Sequence, residues 1–378
     1  MFPATVTAAA LRRFLLALLI GLSAGALCAW LHTPLPWLIG PLFACAIASA
    51  HGLPVGSLLP ARNAGHWVIG TALGLFFTAD VVGRLVSHLG LVMAGQVWAL
   101  MVGLTLAWAL RRFARLDPAT AFFAGAIGGA SEMAIQGERN GARVDLIAAA
   151  HSLRILLVVS VTPFVFQWLG VRGSDPSQRV TMAVQWWPGF ALLLVLTVAG
   201  GLALRAMRAP SPWLIGPLLV AVGLSASGVA LTAMPAWIVS LGQVVIGISL
   251  GTRFAPGFFE RAPRMLAVVG VTTVIAIAAS AGVAWLMSRA SGIPWATLTL
   301  ATSPGGIAEM ALTAKLLELG VPMVTLFHLT RVLVLVLFGG LFYRGLAGRL
   351  GWPLGRPDAA GGPSTDSPRG SGAEGGRR

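Results

Sequence analysis

Two glutamates are notable because they lie inside apolar segments. The 378-residue chain has twelve acidic residues, and all except Glu132 and Glu309 lie at segment edges or in the C-terminal tail. A charged side chain at membrane depth costs about 2.5–3.5 kcal/mol or more, so it normally faces protein or water and has a partner. We therefore predict that both glutamates take part in binding a small solute or an ion.

Two arginines lie well inside apolar runs in the same way. Arg154 and Arg331 each follow a histidine, His151 or His328, by about one helical turn, and this spacing places each pair on one helix face. Histidine and arginine at membrane depth are typical of ion pathways and proton relays. These four residues complete the ionisable part of the predicted site.

The spacing around Gly320 predicts partners for these groups. Glu309 precedes this turn by eleven residues and His328 follows it by eight. An antiparallel helical hairpin therefore brings them to similar depth, at about 1.5 Å per residue. We expect Glu309 to pair with Arg331 or His328, and the equivalent first-half residues to pair likewise. Such pairs either lock two helices together or form a titratable relay or ion site.

The segments that lead into the two glutamates are rich in helix-breaking residues. One runs Thr-Ser303-Pro-Gly305-Gly306, and its first-half counterpart ends in Gly128-Gly129. An interrupted chain leaves N–H groups and a helix N-terminus pointing into the protein, which suits an anion or a substrate carboxylate. Small residues also allow close helix packing, which is the alternative explanation. We include these five residues in the candidate binding site.

The composition shows where such a site must lie. The chain is 57% hydrophobic and 10% charged, whereas soluble domains are about 45–50% apolar and about 25% charged. A soluble enzyme, a disordered regulator and a fibrous protein are excluded. The fold class is therefore an all-α polytopic membrane protein whose main partner is the lipid bilayer.

The net charge of +14 does not indicate nucleic-acid binding. Of the 26 basic residues 25 are arginine, and most lie between apolar runs rather than in a dense patch. Under twelve full crossings, 15 basic loop residues lie on the N-terminal side and 9 on the other, which favours a cytoplasmic N-terminus.

Cys28 and Cys45 form no Cys-x-x-Cys motif, and the histidines lack metal-ligand spacing. We predict no metal, no cofactor, no catalytic residue and no direct nucleic-acid partner.

An internal repeat organises the chain. Residues 36–42 recur unchanged as residues 212–218, and three further blocks recur at an offset of 177. We predict two homologous membrane repeats, 11–170 and 186–346, with a linker at 171–185 and a disordered tail at 347–378. Each repeat has about six apolar segments, of which the short ones are expected to be broken or re-entrant.

The first apolar run is interpreted as a membrane helix rather than a cleaved signal peptide. An even number of crossings makes the repeats parallel, and an odd number makes them inverted.

The ordered set of motifs carries a family resemblance. Two Pro-Trp-Leu-Ile-Gly-Pro runs, two Gly-Gly-x-x-Glu-Met-Ala blocks and two His-x-x-Arg pairs resemble the AbrB-like duplication proteins of Gram-negative bacteria. The resemblance implies an inner-membrane protein labelled as a regulator of gene expression, and some members are labelled ammonia monooxygenase. The same name is used for an unrelated soluble DNA-binding regulator, whose fold this apolar chain cannot contain.

Three function classes compete. A membrane-bound monooxygenase lacks recognisable ligands here, and a membrane sensor or regulator lacks an output domain. A transporter-like permease for a small solute or ion fits the repeats, the interrupted segments and the intramembrane Glu, His and Arg residues. We favour the permease and a non-enzymatic role, and the sequence also allows a homo-oligomer.

Overall fold

A computed structural model of the protein describes residues 7–174, 187–229 and 232–352, and within these ranges it contains sixteen helices and no strand. The predicted all-α polytopic fold with broken helices is confirmed. The first eight helices are α1 (Ala8–Trp30), α2 (Pro36–Ala50), α3 (Leu59–Gly74), α4 (Ala79–Ser87), α5 (Leu89–Ala114), α6 (Pro118–Gly125), α7 (Ala130–Glu138) and α8 (Val144–Trp168). The others are α9 (Trp187–Ala206), α10 (Pro212–Ala226), α11 (Ala236–Gly251), α12 (Phe258–Arg261), α13 (Pro263–Ser291), α14 (Trp295–Thr302), α15 (Ile307–Leu316) and α16 (Val321–Leu350).

Six helices in the described part are long and apolar enough to cross a bilayer. They are α1, α5, α8, α9, α13 and α16, with lengths from 20 to 30 residues. Helix α3 and the short α4 form a further candidate that is bent by 85°. Helices α2, α10 and α11 have 15 or 16 residues, which is shorter than the roughly 20 residues that a direct crossing needs.

The two broken segments are hairpins that enter and leave the protein on the same side. In the first, the Arg143 N–H after α7 donates to Thr120 Oγ1 at the start of α6, at 2.8 Å. In the second, the Gly320 N–H after α15 donates to Thr297 Oγ1 at the start of α14, at 3.2 Å. The α6–α7 and α14–α15 hairpins are therefore re-entrant, and the loop-charge count that assumes twelve full crossings does not apply.

Equivalent long helices of the two predicted repeats run in opposite directions. The Gly173 N–H just after α8 donates to the Leu317 carbonyl just before α16, at 2.8 Å, so α16 begins on the side where α8 ends. The Arg111 guanidinium near the end of α5 lies 4.3 Å from the ring centroid of Trp352, just after α16. Helix α5, which leads into the first hairpin, thus ends on the side where α16 ends. Helix α13, which leads into the second hairpin, ends on the side where α16 begins, because Thr297 after α13 accepts from the Gly320 N–H. The first hairpin consequently enters from one side and the second from the opposite side.

We call the side on which α1 begins the N-terminal side. The Gly56 N–H, between α2 and α3, donates to the Arg13 carbonyl near the start of α1, at 3.2 Å. At the other end, Gln167 Nε2 of α8 donates to the His32 carbonyl just after α1, also at 3.2 Å. Helices α1 and α8 therefore run in the same direction, and the first hairpin enters from the N-terminal side.

The short helices of one repeat pack against those of the other. Helix α3 lies along α10, and α11 lies along α2, with glycines at the closest points. A Cβ built on Gly70 would collide with the Leu214 carbonyl, and one built on Gly247 would collide with the Leu38 carbonyl. Since small residues let helix backbones approach closely, the repeated glycine motifs join the two repeats into one core.

Two predicted segments lie partly beyond the described part of the chain. The linker predicted at 171–185 is described only to residue 174. Helix α16 continues to Leu350, so the tail predicted from 347 begins as helix, and residues 353–378 lie outside the described residues.

The glycine contacts predict a stability difference among substitutions. Gly70→Ala and Gly247→Ala should each lower the free energy of unfolding in detergent by about 1–3 kcal/mol, because the added methyl overpacks a backbone contact. Gly223→Ala, in α10, is the matched control because nothing lies within 4 Å of its Cβ position. It should be neutral or stabilising by up to about 1 kcal/mol. Equal effects at the three positions would contradict this packing.

Candidate functional site

The tips of the two hairpins leave backbone carbonyls without helical partners. Helix α6 ends at Gly125 and α7 begins at Ala130, while α14 ends at Thr302 and α15 begins at Ile307. The last carbonyls of a helix have no intrahelical donor, and inside a membrane each unsatisfied group costs several kcal/mol. These carbonyls therefore need donors from side chains.

Arg154 supplies donors to the first tip. Its Nη1 donates to the carbonyls of Ala124 at 3.2 Å and Gly125 at 3.3 Å, and its Nη2 donates to the carbonyl of Ala126 at 3.1 Å. The arginine is 2% exposed. It holds the end of α6 against the middle of α8.

His151 contacts both this arginine and the backbone of the first hairpin. Its Nε2 lies 3.0 Å from the Phe123 carbonyl, and its Nδ1 lies 2.9 Å from Arg154 Nη2. A carbonyl can only accept, so Nε2 carries the proton and Nδ1 accepts from the guanidinium. Both ring nitrogens are thus engaged in holding the tip.

Arg331 and His328 repeat this arrangement at the second tip. Arg331 Nη1 donates to the Ser303 carbonyl at 2.9 Å, and its Nη2 donates to the Gly305 carbonyl. His328 Nε2 lies 3.0 Å from the Leu300 carbonyl, while its buried Nδ1 has no hydrogen-bond partner. The Ser303 hydroxyl donates to the Thr299 carbonyl at 2.6 Å.

The predicted pairing of each glutamate with the arginine or histidine of its own repeat is wrong. Within the described residues, the one ion pair is between Arg143 and Asp145 at the surface, at 3.1 Å. The reason is that the interrupted helices expose backbone carbonyls, and the guanidinium N–H groups donate to these carbonyls instead of to the carboxylates. The hairpin arrangement also places each glutamate on the helix that leaves the tip.

Each glutamate occupies the third position of that helix. Glu132 lies in the first turn of α7 and Glu309 in the first turn of α15, after the N-cap residues Gly129 and Gly306. A Cβ built on either glycine would collide with the carboxylate Oε2 of its glutamate. The carboxylate therefore folds back over the N-cap, where the positive end of the helix dipole favours it.

The two glutamates differ in their surroundings. Glu132 Oε1 accepts from the Ser211 backbone N–H at 3.2 Å and from its hydroxyl at 3.1 Å. Ser211 is the left-handed N-cap of α10, and the equivalent residue before α2 is the apolar Leu35. Glu309 is only 7% exposed, so the two hairpin tips are not equivalent.

Both tips line one cavity of about 720 Å³. The cavity extends from the tips toward the N-terminal side. There it is surrounded by the end of α7, the segment before α10, Arg253 after α11 and the last turns of α16. Its polar lining from the described residues includes Arg62, Asn63, His66, Glu132, Gln136, Arg139, Arg154, Arg208, Ser211, Arg253, Glu309, Arg331 and Arg344.

The structure brings most of the predicted site residues together. Both glutamates, both intramembrane arginines and the four tip glycines line the cavity; these glycines are Gly128, Gly129, Gly305 and Gly306. His151, His328 and Ser303 do not line it, and they lie buried behind the arginines.

Sequence reasoning missed the cavity residues from the short helices. Arg62 and His66 of α3 and Arg253 after α11 come from elements distant in sequence from the hairpins. A signal was available in the sequence, because Arg62 lies just before residues 65–70 and His66 lies within them, and their Gly-x-x-x-x-Gly pattern recurs at residues 242–247.

The chain matches a known protein family over most of its length. A family model described as "Transition state regulatory protein AbrB" matches residues 37–347, from α2 into α16. The chain belongs to the AbrB family. The family resemblance predicted from the motifs is confirmed.

Two relatives match most of their own length. "Putative regulator AbrB" of Escherichia coli (strain K12) is 27% identical over 287 residues, which cover 75% of this chain and 82% of that protein. "Uncharacterized protein YhjN" of Bacillus subtilis (strain 168) is 28% identical over 299 residues, covering 74% of this chain and 77% of that protein.

Within the described ranges, no three His, Cys, Asp or Glu side chains form a group that could hold a metal ion. The absence of a metal and of a cofactor stays a prediction.

The arginine at the first tip generates a stability prediction. Arg154→Met should lower the free energy of unfolding by at least about 2 kcal/mol, because it leaves several buried carbonyls without donors. Arg143→Met is the control; it removes an exposed ion pair, and such pairs contribute about 0–1 kcal/mol. Thermal unfolding of both variants in the same detergent measures the difference. Comparable stability would show that the tip does not depend on the guanidinium.

Proposed function

We propose that this AbrB-family protein is a permease of the bacterial inner membrane, and that the cavity between the hairpin tips is its solute site. The observation that carries the proposal is that two re-entrant hairpins enter from opposite sides and line one cavity at their tips. Transporters often place substrate sites at interrupted helices, near the interface of two inverted repeats. A rigid structural protein has no evident need for this arrangement.

The opposite directions of equivalent helices support a transport cycle. Identical heptapeptides begin α2 and α10, and both helices follow a left-handed N-cap, Leu35 with φ 46° and Ser211 with φ 42°. Two inverted copies can exchange conformations, which moves the opening of the cavity from one side to the other. In this proposal the duplicated sequence supplies the two halves of an alternating-access machine.

The distribution of basic residues supports one orientation. On the re-entrant topology, fifteen described arginines lie on the N-terminal side, and four described basic residues lie on the other. The fifteen are Arg12, Arg13, Arg62, Arg111, Arg112, Arg115, Arg139, Arg143, Arg205, Arg208, Arg253, Arg261, Arg264, Arg344 and Arg349, and the four are Arg84, Arg172, Arg289 and Lys315. Because cytoplasmic loops carry the excess of positive charge, the N-terminal side is the cytoplasmic side and the cavity faces the cytoplasm.

Glu309 is the group we assign to the transport step. It is a buried carboxylate at the tip of the hairpin that enters from the opposite side, and no described cation forms an ion pair with it. Its carboxylate is held by its own backbone N–H, and Arg253 attracts it without forming an ion pair. A buried carboxylate held this loosely can exchange a proton or a solute contact as the cavity changes its opening. Glu132, in contrast, is held by Ser211.

The regulator name of the Escherichia coli relative is compatible with this proposal. A permease that changes the cytoplasmic level of a solute alters gene expression indirectly. A regulatory phenotype would then depend on the same cavity residues as transport.

The transport proposal predicts loss of flux in one variant. In proteoliposomes, wild type should accelerate the uptake of at least one of labelled citrate, phosphate, glycerol and choline over protein-free vesicles. Glu309→Gln should lower that rate at least tenfold, because it removes the buried charge while keeping its shape. Glu318→Gln, an exposed residue on the opposite side, is the matched control and should retain the rate.

Two outcomes contradict the proposal. One is that none of the four solutes crosses faster with wild-type protein. The other is that a folded Glu309→Gln variant, checked by gel filtration and thermal unfolding, transports at the wild-type rate.

A further inference from the structure

Three arginine side chains present unused hydrogen-bond donors in the cavity lining. The buried Nε atoms of Arg62, Arg154 and Arg331 have no hydrogen-bond partner, and all three residues line the cavity. A buried donor left without an acceptor costs about 1–3 kcal/mol, and more when it is charged. A ligand rich in acceptor oxygens, inserted between these side chains, would satisfy such donors.

The two intramembrane arginines differ in how many donors remain. A guanidinium has five N–H donors. Arg154 uses four of them, three on carbonyls and one on His151, so its Nε–H is left. Arg331 makes only two such bonds and keeps three donors. Arg331 can therefore hold an oxyanion bidentately, while Arg154 can add a single bond.

The cavity also carries an excess of positive charge. Its described lining contains seven arginines but only two glutamates, Glu132 and Glu309. Arg154 and Arg331 are 2% and 4% exposed, and neither forms an ion pair with a described carboxylate. Because an uncompensated buried charge is strongly unfavourable, the missing counter-charge is expected to come from the ligand.

The volume indicates an organic ligand or a large inorganic anion. Ligand pockets measure about 300–1,000 Å³, and this cavity of about 720 Å³ lies within that range. A monatomic anion would fill only a small part of this volume. A ligand with several oxyanion groups can reach donors from both hairpin tips and from α3 together.

We propose that the cavity binds a small polyvalent oxyanion, with carboxylate or phosphate groups, through Arg62, Arg154 and Arg331. The inference rests on the proposed function in taking this cavity as the solute site, and it adds the chemical class of the solute. Arg331 and Arg154 contribute one arginine from each repeat and hold the anion between the tips. Arg62 approaches from α3, on the cytoplasmic side of the cavity.

Arg62 is the residue that tests this proposal most clearly. Arg154 and Arg331 also hold backbone carbonyls, so their loss affects the fold. The Arg62 Nε–H has no hydrogen-bond partner, and the residue lies near the start of a helix, so Arg62→Gln should fold. Arg84→Gln, an exposed arginine on the opposite side, is the matched control.

The experiment measures the binding of citrate and of inorganic phosphate to the purified full-length protein in chloride-free buffer, by calorimetry. Wild type should bind at least one of the two. Arg62→Gln should weaken binding at least tenfold, Arg62→Lys should restore part of it, and Arg84→Gln should lie within twofold of wild type. Glycerol and choline should not bind.

The proposal is overturned if neither anion binds, or if folded Arg62→Gln binds as tightly as wild type. The two proposals fail separately. Anion binding without flux of either anion would retain the ligand class and contradict transport of these solutes. Flux of glycerol or choline without anion binding would retain transport and contradict the ligand class.

Discussion

The structure depends on satisfying backbone carbonyls where a helix stops inside the membrane. Water is absent there, so a chain that ends a helix at mid-depth must find donors within the protein. Arg154 and Arg331 provide them, one for each hairpin tip, and each is supported by a histidine one turn earlier. The cost of burying a guanidinium is offset by the bonds that it makes to otherwise unpaired carbonyls.

This arrangement links structure to the proposed transport. An arginine that only capped carbonyls would need no access to a cavity, yet both intramembrane arginines line one. Arg331 in particular keeps donors that the carbonyls do not use. The same side chains can thus stabilise two interrupted helices and bind an anion between them, which makes the tips sensitive to occupancy of the site.

Much of the fold could be predicted from the sequence, because its signals are local. Glycine pairs and Pro304 predict interrupted helices, and the repeated motifs predict equivalent segments. The partners of the arginines could not be predicted, since carbonyl groups are present in every residue and only the hairpin geometry exposes particular ones. Arg62 and Arg253 joined the site only through packing between elements far apart in sequence. The opposite directions of equivalent helices could not be predicted either, because only contacts between helix ends reveal them.

In the proposed orientation the first hairpin enters from the cytoplasm and the second from the opposite side. Labelling of single cysteines with a membrane-impermeant maleimide, in a background without Cys28 and Cys45, measures this topology. Glu138→Cys marks the base of the first hairpin and Ala290→Cys precedes the second; both positions are exposed. In intact cells only Ala290→Cys should be labelled, and in inverted vesicles only Glu138→Cys. Labelling of both from the same side would contradict the account.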